Sequence, residues 1–289
     1  TTGLFHISDG KCYKLLNGRF TGLTRYKDRY FVAEELFETK RCRIMSFLLE
    51  NGEVVSMRNV YSVTDRGGFH QIDFIENKIY LTDTHNNNIT VLSQHGVVEC
   101  KIFPNRVHTS NRPNQITDSQ YYCHYNSVFG HAGNIYVLAH NETSKTGKVS
   151  QVYAIDQKNY ECSIELPEII CGGNSHNILL HNGHFFICDS LNGNFLCDGQ
   201  TVLDTPYFTR GLAMNKEYIA IGCSERAERF NRNETKGFIY LINHQFEMVK
   251  SYELGQLGQV YDIRLLGGDY GLSNESEGAK NPANHNAFS

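Results

Sequence analysis

The sequence predicts an all-β chain folded as a single β-propeller, with six four-stranded blades favoured and five as the alternative. Helical periodicity is nearly absent, and short runs rich in Val, Ile, Tyr and Phe alternate with Gly, Asn and Asp, as is typical of many short strands. One outline recurs along the chain: a lead-in residue, an apolar strand, a tight polar turn, a second apolar strand and a polar loop. Repeats too small to bury an apolar face alone indicate a ring of packed sheets.

The spacing of the repeats sets the expected blade size. The lead-in residues are separated by 49, 54, 52, 34 and 51 residues. They are Thr21, His70, His124, His176, Arg210 and, for a degenerate sixth copy, Tyr261. Most steps match the roughly 40–50 residues of a four-stranded blade, and the step of 34 predicts a compact blade with short outer strands.

The two ends of the chain are expected to meet in the last blade. The N-terminal runs LFHIS and KCYKLL look like outer strands that lack an inner pair. We expect them to join the C-terminal blade that starts at Tyr261, because ring closure removes exposed sheet edges. Residues 1–272 would then form one propeller domain, and residues 273–289 have the composition of a loop-like or disordered tail.

The blade outline resembles a known group of propellers. The run NKIYLTDTHNNNITVLS is similar to the inner strand and turn of an NHL repeat, and the pattern along most of the chain resembles the NHL and SMP-30/gluconolactonase type. The resemblance implies the architecture only. The calcium site of SMP-30-like enzymes uses Glu, Asn and Asp ligands. The corresponding starts here carry His, so the resemblance implies neither calcium binding nor lactonase activity.

Composition argues against several classes of function. The formal net charge is −4, which gives no general attraction to nucleic acid or to a membrane surface. Nine cysteines, an odd number without a C-x-x-C pair, favour reduced thiols and a cytoplasmic location. No serine-hydrolase elbow, P-loop, dinucleotide fingerprint or H-E-x-x-H motif is found. The sequence leaves the oligomeric state open.

Three histidines at one repeat position predict a metal site. His70, His124 and His176 lead three consecutive blades, so their side chains should converge at one end of the central channel. Imidazole is the commonest metal ligand, and three protein ligands with an open position are typical of a catalytic metal. We expect one divalent transition metal, with Fe, Mn, Zn and Cu all compatible. The alternative is that these rings are hydrogen-bonded polar plugs of the channel.

Further polar residues are predicted at the same end of the channel. Glu34, Asp83 and Tyr261 are candidates for proton transfer. Candidates for binding an anionic substrate are Arg210, His140, Asp189 and Arg226. The alternative for Arg210 is an ion pair with Asp262, and the two aspartates could instead hydrogen-bond turn N–H groups. Arg226 belongs to a polar insertion, SERAERFNRNETKG, that could be a lid or a solvated loop.

Two functions follow from these residues. The first is a metal-dependent enzyme acting on a small anionic substrate, either a lyase or hydrolase with a Lewis-acid metal or an oxidoreductase that uses O₂. The second is a non-enzymatic propeller that binds a glycan or a protein. The 17 Tyr and 17 Phe residues favour the second somewhat, whereas the absence of Trp counts against glycan binding.

Overall fold

A computed structural model describes residues 3–36, 39, 41–63, 67–104, 122–166, 170–228, 231–266, 268 and 269. The expected C-terminal tail, 273–289, lies outside these residues. The described chain contains one helix of four residues and otherwise strands and loops. No helix in this part of the chain is both long and apolar enough to cross a membrane.

Five four-stranded antiparallel sheets form the blades, and the N-terminal hairpin of β1 (Gly3–Ser8) and β2 (Lys11–Asn17) forms a separate two-stranded sheet. Blade one contains β3 (Phe20–Tyr26), β4 (Arg29–Leu36), β5 (Arg41–Glu50) and β6 (Glu53–Ser62). Blade two contains β7 (Phe69–Ile75), β8 (Lys78–Asp83), β9 (Asn88–Ser93) and β10 (Val98–Ile102). Blade three contains β11 (Tyr125–His131), β12 (Asn134–Ala139), β13 (Gln151–Asp156) and β14 (Cys162–Glu165), with helix α1 (Thr143–Thr146) between β12 and β13.

The last two blades follow the same order. Blade four contains β15 (His176–His181), β16 (His184–Asp189), β17 (Asn194–Cys197) and β18 (Gln200–Asp204). Blade five contains β19 (Phe208–Met214), β20 (Ile219–Ser224), β21 (Gly237–Ile242) and β22 (Met248–Gly255). The propeller prediction is confirmed, and the sheet count is the five that the sequence left as the alternative.

Burial explains which strand of each blade faces the centre. The first strands contact one another in sequence, β3 with β7, β7 with β11, β11 with β15 and β15 with β19, and so surround the channel. Their residues are nearly all buried, whereas the fourth strands β10 and β18 are mainly exposed. Apolar clusters fill the spaces between neighbouring sheets, with large fully buried side chains such as Phe69, Phe74 and Phe195. Most of the stabilising apolar burial therefore lies between blades.

A series of side-chain acceptors joins blades two to five, each to the next, near the channel. The oxygen of Gln71 accepts the N–H of Val128 (3.0 Å), and that of Ser127 accepts the N–H of Ile178 (3.0 Å). Asn177 accepts the N–H of Gly211 at 2.8 Å. These bonds satisfy buried N–H groups that the sheets leave unpaired at the start of each innermost strand.

The ring closes through residues 260–266, which lie between blades five and one. The carboxylate of Asp262 accepts the N–H of Leu23 in blade one at 2.9 Å, and Val260 donates its N–H to Ser224 in blade five at 2.9 Å. Within the described residues this segment belongs to no sheet, and a mainly apolar cavity of about 390 Å³ separates it from β1. The N-terminal hairpin and residues 260–266 line this cavity together. Among the residues that the structure describes, however, β1 and β2 pair only with each other, so the expected four-stranded C-terminal blade is not formed there.

Candidate functional site

Each innermost strand has a β-bulge at its start, beside the candidate site. The pairing between the first and second strands shifts register between Phe20 and Gly22, Phe69 and Ile72, Tyr125 and Ser127, His176 and Ile178, and Thr209 and Leu212. A bulge leaves extra residues unpaired and redirects their side chains. His70 and Arg210 lie within two of these bulges.

The third blade has a different register from the one that the sequence predicts. In blades two, three and four, the first strand ends directly before a two-residue turn, at Ile75, His131 and His181 respectively. The residues five positions before these strand ends are His70, Asn126 and His176. Asn126, not His124, therefore shares the position of the other two histidines. The expected equivalence was wrong by two residues because a bulge and an unusual backbone at the strand start hide the register in the sequence.

His124 nevertheless reaches the other histidines. Its backbone has a φ of +54°, a left-handed conformation that costs energy for a non-glycine residue and is common at functional sites. Its Nε2 lies 3.3 Å from Nε2 of His70. His140, at the end of the second strand of the same blade, stacks on it with ring centroids 4.5 Å apart.

Four rings form a continuous group, which we call the imidazole cluster: His70, His124, His140 and His176. Neighbouring ring centroids are 5.0 Å apart from His70 to His124 and 5.1 Å apart from His140 to His176. Three consecutive blades contribute to the cluster. The structure thus brings together the three predicted metal ligands and one predicted substrate-binding residue.

Hydrogen bonds fix the tautomers of two rings. Nδ1 of His124 lies 3.4 Å from the carboxylate of Glu142, an acceptor, so this nitrogen carries the proton. The hydroxyl of Ser190 donates to the carbonyl of Thr209 at 2.5 Å, so it accepts from Nδ1 of His176 at 2.8 Å. In both neutral rings Nε2 then holds the lone pair that a metal needs.

The other two rings differ. Nδ1 of His140 accepts the N–H of Glu142 at 3.0 Å, so its Nε2 carries the proton and is a donor. Nε2 of His70 faces the Nε2 lone pair of His124 at 3.3 Å, so it carries the proton and donates, whereas its Nδ1 is buried and has no hydrogen-bond partner among the described residues. A metal on Nε2 of His70 would require this proton to move to Nδ1. His140 therefore suits substrate binding, and His70 suits either hydrogen bonding or metal binding.

Burial keeps the cluster uncharged. Loss of solvent lowers the pKa of His70, His140 and His176 well below the usual value, and the positive charge of Arg210 lowers it further. Burial also lowers the pKa of His124, partly offset by Glu142. The hydrogen bond from His124 lowers the pKa of Glu142 to about 2. The rings are thus neutral at pH 7, the form that ligates metals.

A buried cation stands beside the cluster. Arg210 is 5% exposed, and its guanidinium lies over the ring of Tyr261, 4.3 Å from the centroid. Arg19 donates to the Tyr261 hydroxyl at 3.2 Å. The alternative of an ion pair between Arg210 and Asp262 is not formed, because Asp262 pairs with Arg264 at 2.9 Å. Burial lowers the pKa of Arg210 to about 10, so it stays charged at pH 7 and attracts anions.

The predicted carboxylates are engaged in structural contacts. Glu34 forms an ion pair with Arg43 at 2.6 Å. Asp83 accepts from the side chain of Asn86 at 2.7 Å, and Asp189 accepts from the N–H of Gly173 at 2.9 Å. Both aspartates hold turns, which was the alternative expectation for them.

Arg226 lies outside the site, whereas three residues that the sequence analysis did not name contact the imidazole cluster. Arg226 is exposed and donates to the carbonyl of Leu191 at 2.7 Å, outside the imidazole cluster. Sequence reasoning missed Glu142, Ser190 and Tyr122, whose hydroxyl lies 3.3 Å from Nδ1 of His124. Glu142 and Ser190 follow the second-strand ends at His140 and Asp189, so examining one or two residues beyond each strand end could have found them.

Replacing Arg210 with Met is expected to stabilise the protein by about 1–2 kcal/mol. The lowered pKa corresponds to a burial penalty of about 3 kcal/mol, and the lost cation–π contact with Tyr261 returns about 1–2 kcal/mol of it. Urea unfolding of the two proteins measures the difference. An Arg25→Met variant, whose side chain is near the surface, is the control. A destabilised Arg210→Met protein would contradict this account.

Comparisons with known proteins support the fold. No protein-family model and no curated protein matches the chain. Among solved structures, it is similar to a chain of a nidogen/laminin complex, with 11% identity, a TM-score of 0.59 and coverage of 91% of this chain and 89% of the other. It is also similar to a luciferin-regenerating enzyme, with 11% identity, a TM-score of 0.55 and coverage of 85% and 80%.

A third similar structure is a streptogramin B lyase, with 11% identity, a TM-score of 0.50 and coverage of 86% of this chain and 87% of the other. At such identities the likeness shows the fold alone. It agrees with the resemblance to enzyme-bearing propellers seen in the sequence, and the neighbours named here include two enzymes.

Proposed function

We propose that this protein is an enzyme that acts on a small anionic substrate at the imidazole cluster, with one divalent transition metal held by His70, His124 and His176. The observation that carries the proposal is the 3.3 Å separation of the Nε2 atoms of His70 and His124. Two imidazoles bound to one tetrahedral ion at about 2.0–2.1 Å have their nitrogens about 3.3 Å apart. The pair therefore needs little movement to bind an ion.

The third ligand requires a rearrangement. Among the described residues, the ligand nitrogens of His70, His124 and His176 do not all lie within 4.8 Å of one another. Nε2 of His176 is nevertheless free, because Ser190 holds only the opposite nitrogen. Glu142 and Ser190 then act as positioning residues that fix the orientation of two ligands.

The chemistry of the surroundings favours an anionic substrate. Three neutral imidazoles leave the charge of the metal uncompensated, and Arg210 adds a second buried positive charge. Nε2–H of His140 can donate a hydrogen bond to the bound substrate. When bound, the metal would supply Lewis-acid activation or, if it is Fe or Cu, redox chemistry. Zn or Mn would favour a lyase or hydrolase reaction.

Elemental analysis of the untagged protein tests the proposal. The wild-type protein is expected to hold about one equivalent of a transition metal that a His70→Ala, His124→Ala, His176→Ala variant lacks. A variant with Ala at His6, His95 and His131, which lie outside the cluster, is the matched control and should keep the metal. Equal metal content in the wild-type protein and the cluster variant, after reconstitution with Fe, Mn, Zn and Cu in turn, would refute the metal site and favour the binding-module alternative.

A further inference from the structure

A second group of metal-ligating side chains lies in blade four. His184, Cys197 and Asp198 each offer a ligand atom, and these atoms all lie within 4.8 Å of one another. In the described part of the chain no other group of three or more His, Cys, Asp or Glu side chains meets this spacing. None of the three belongs to the imidazole cluster.

Strand pairing explains how these residues meet. Phe186 is the cross-strand partner of Cys197, and His184 lies two residues before Phe186, so His184 and Cys197 share one face of the sheet. Asp198 and Gly199 form a tight turn with φ values of +48° and +79°, and the N–H of Asp198 donates to the carbonyl of Phe185 at 2.9 Å. The turn therefore places the carboxylate directly beside the ring of His184.

The contacts of Asp198 orient the imidazole. One carboxylate oxygen accepts the N–H of Phe185 at 2.7 Å, and the other contacts Nδ1 of His184 at 2.6 Å. An ion would take the place of the proton between these two atoms, so that Nδ1 of His184 and a carboxylate oxygen of Asp198 both become ligands. The His184 and Asp198 side chains are 58% and 47% exposed, so a metal ion in solution can reach them.

The donor set indicates the kind of metal. Cys197 is a free thiol, and burial together with the negative charge of Asp198 raises its pKa. A bound cation would reverse this effect and stabilise the thiolate. Sulfur, imidazole nitrogen and carboxylate oxygen together suit Zn²⁺ or Co²⁺, whereas Ca²⁺ and Mg²⁺ prefer oxygen alone.

We propose that His184, Cys197 and Asp198 form a surface binding site for Zn²⁺ or a similar borderline-soft divalent ion. The site lies far from the imidazole cluster, because His184 opens the six-residue strand β16 and Ser190, which contacts His176, follows its other end. A strand of that length spans roughly 16–20 Å. The proposal does not depend on the proposed function.

Titration of the metal-free protein with Co²⁺ tests the proposal. The expected result is a thiolate-to-cobalt charge-transfer band in the near ultraviolet that saturates at about one equivalent and disappears when Zn²⁺ is added. The band should be absent in Cys197→Ser, and the affinity for Co²⁺ should fall at least about tenfold in His184→Ala. Thermal unfolding of each variant in the absence of metal confirms that it folds.

Two controls separate this site from other sites. His181→Ala removes the imidazole that pairs with His184 across the turn but is outside the group, and it should keep the band. A double His70→Ala, His124→Ala variant should also keep the charge-transfer band, since the imidazole cluster contains no thiolate. A wild-type protein without the band, or a band that persists in Cys197→Ser, would overturn the proposal.

Discussion

Without bound metal, the protein is expected to lose about 3–4 kcal/mol of unfolding free energy for each pH unit below about 6.5. The loss arises from the buried His176 and the half-buried His70 and His140. In the unfolded chain these rings bind protons near pH 6.5. In the folded protein, burial lowers the pKa of His70, His140 and His176 well below that value, so they stay neutral. Since the unfolded state binds more protons, acid favours unfolding, and the loss ends only when pH falls below the folded pKa values.

Urea unfolding between pH 7.5 and pH 5, in steps of about half a pH unit, measures this dependence. The matched control replaces the three histidines with Gln, which cannot be protonated in this range. The control protein should show a much shallower pH dependence than the wild-type protein. Parallel curves for the two proteins would show that the folded protein does not keep these three rings neutral. The same acid range should release the proposed metal, because protonated imidazole is not a ligand.

Replacing Asp262 with Ala is expected to destabilise the protein by about 3–5 kcal/mol. Asp262 and Arg264 form an ion pair at 2.9 Å in which both side chains are 4% exposed. The carboxylate also accepts the N–H of Leu23 and so links the C-terminal segment to blade one. Its removal leaves a buried guanidinium without its ion-pair partner and the N–H of Leu23 without an acceptor.

Urea unfolding of the Asp262→Ala and Glu253→Ala proteins tests this expectation. Glu253 pairs with Lys236 at 3.5 Å on the surface, where the two side chains are 59% and 46% exposed, and its loss should cost less than about 1 kcal/mol. A double Asp262→Ala, Arg264→Met variant should recover part of the lost stability, since it removes the unpaired charge. Equal effects of Asp262→Ala and Glu253→Ala would show that the ring does not close through Asp262.

The two predictions concern linked parts of the molecule. Asp262 follows Tyr261, whose ring supports the guanidinium of Arg210 beside the imidazole cluster. Loosening the C-terminal segment is therefore expected to disturb the anion-binding side of the site as well as the fold. The cluster itself rests on blades two to four, so its metal binding should be less affected.

Local chemistry let the sequence predict the fold and most members of the site. Alternating apolar residues and turn residues repeat at blade length, and that pattern reports directly on strands and their order. The same pattern identified His70, His176 and Arg210, because each lies at the start of an innermost strand. It also identified His140, at the end of a second strand, as a member of the site.

Three-dimensional contacts decided what the pattern could not. The sequence by itself determined a propeller and a histidine-rich end of the channel. Only the tertiary structure decided that Asn126 holds the repeat position in blade three. It also decided that Asp262 pairs with Arg264 and not with Arg210. Finally, it decided that Glu142 and Ser190 orient two imidazoles. The reason is that bulges, backbone torsions and partners from other blades set the register and charge of a site, and none of these is encoded by the spacing of residues within one repeat.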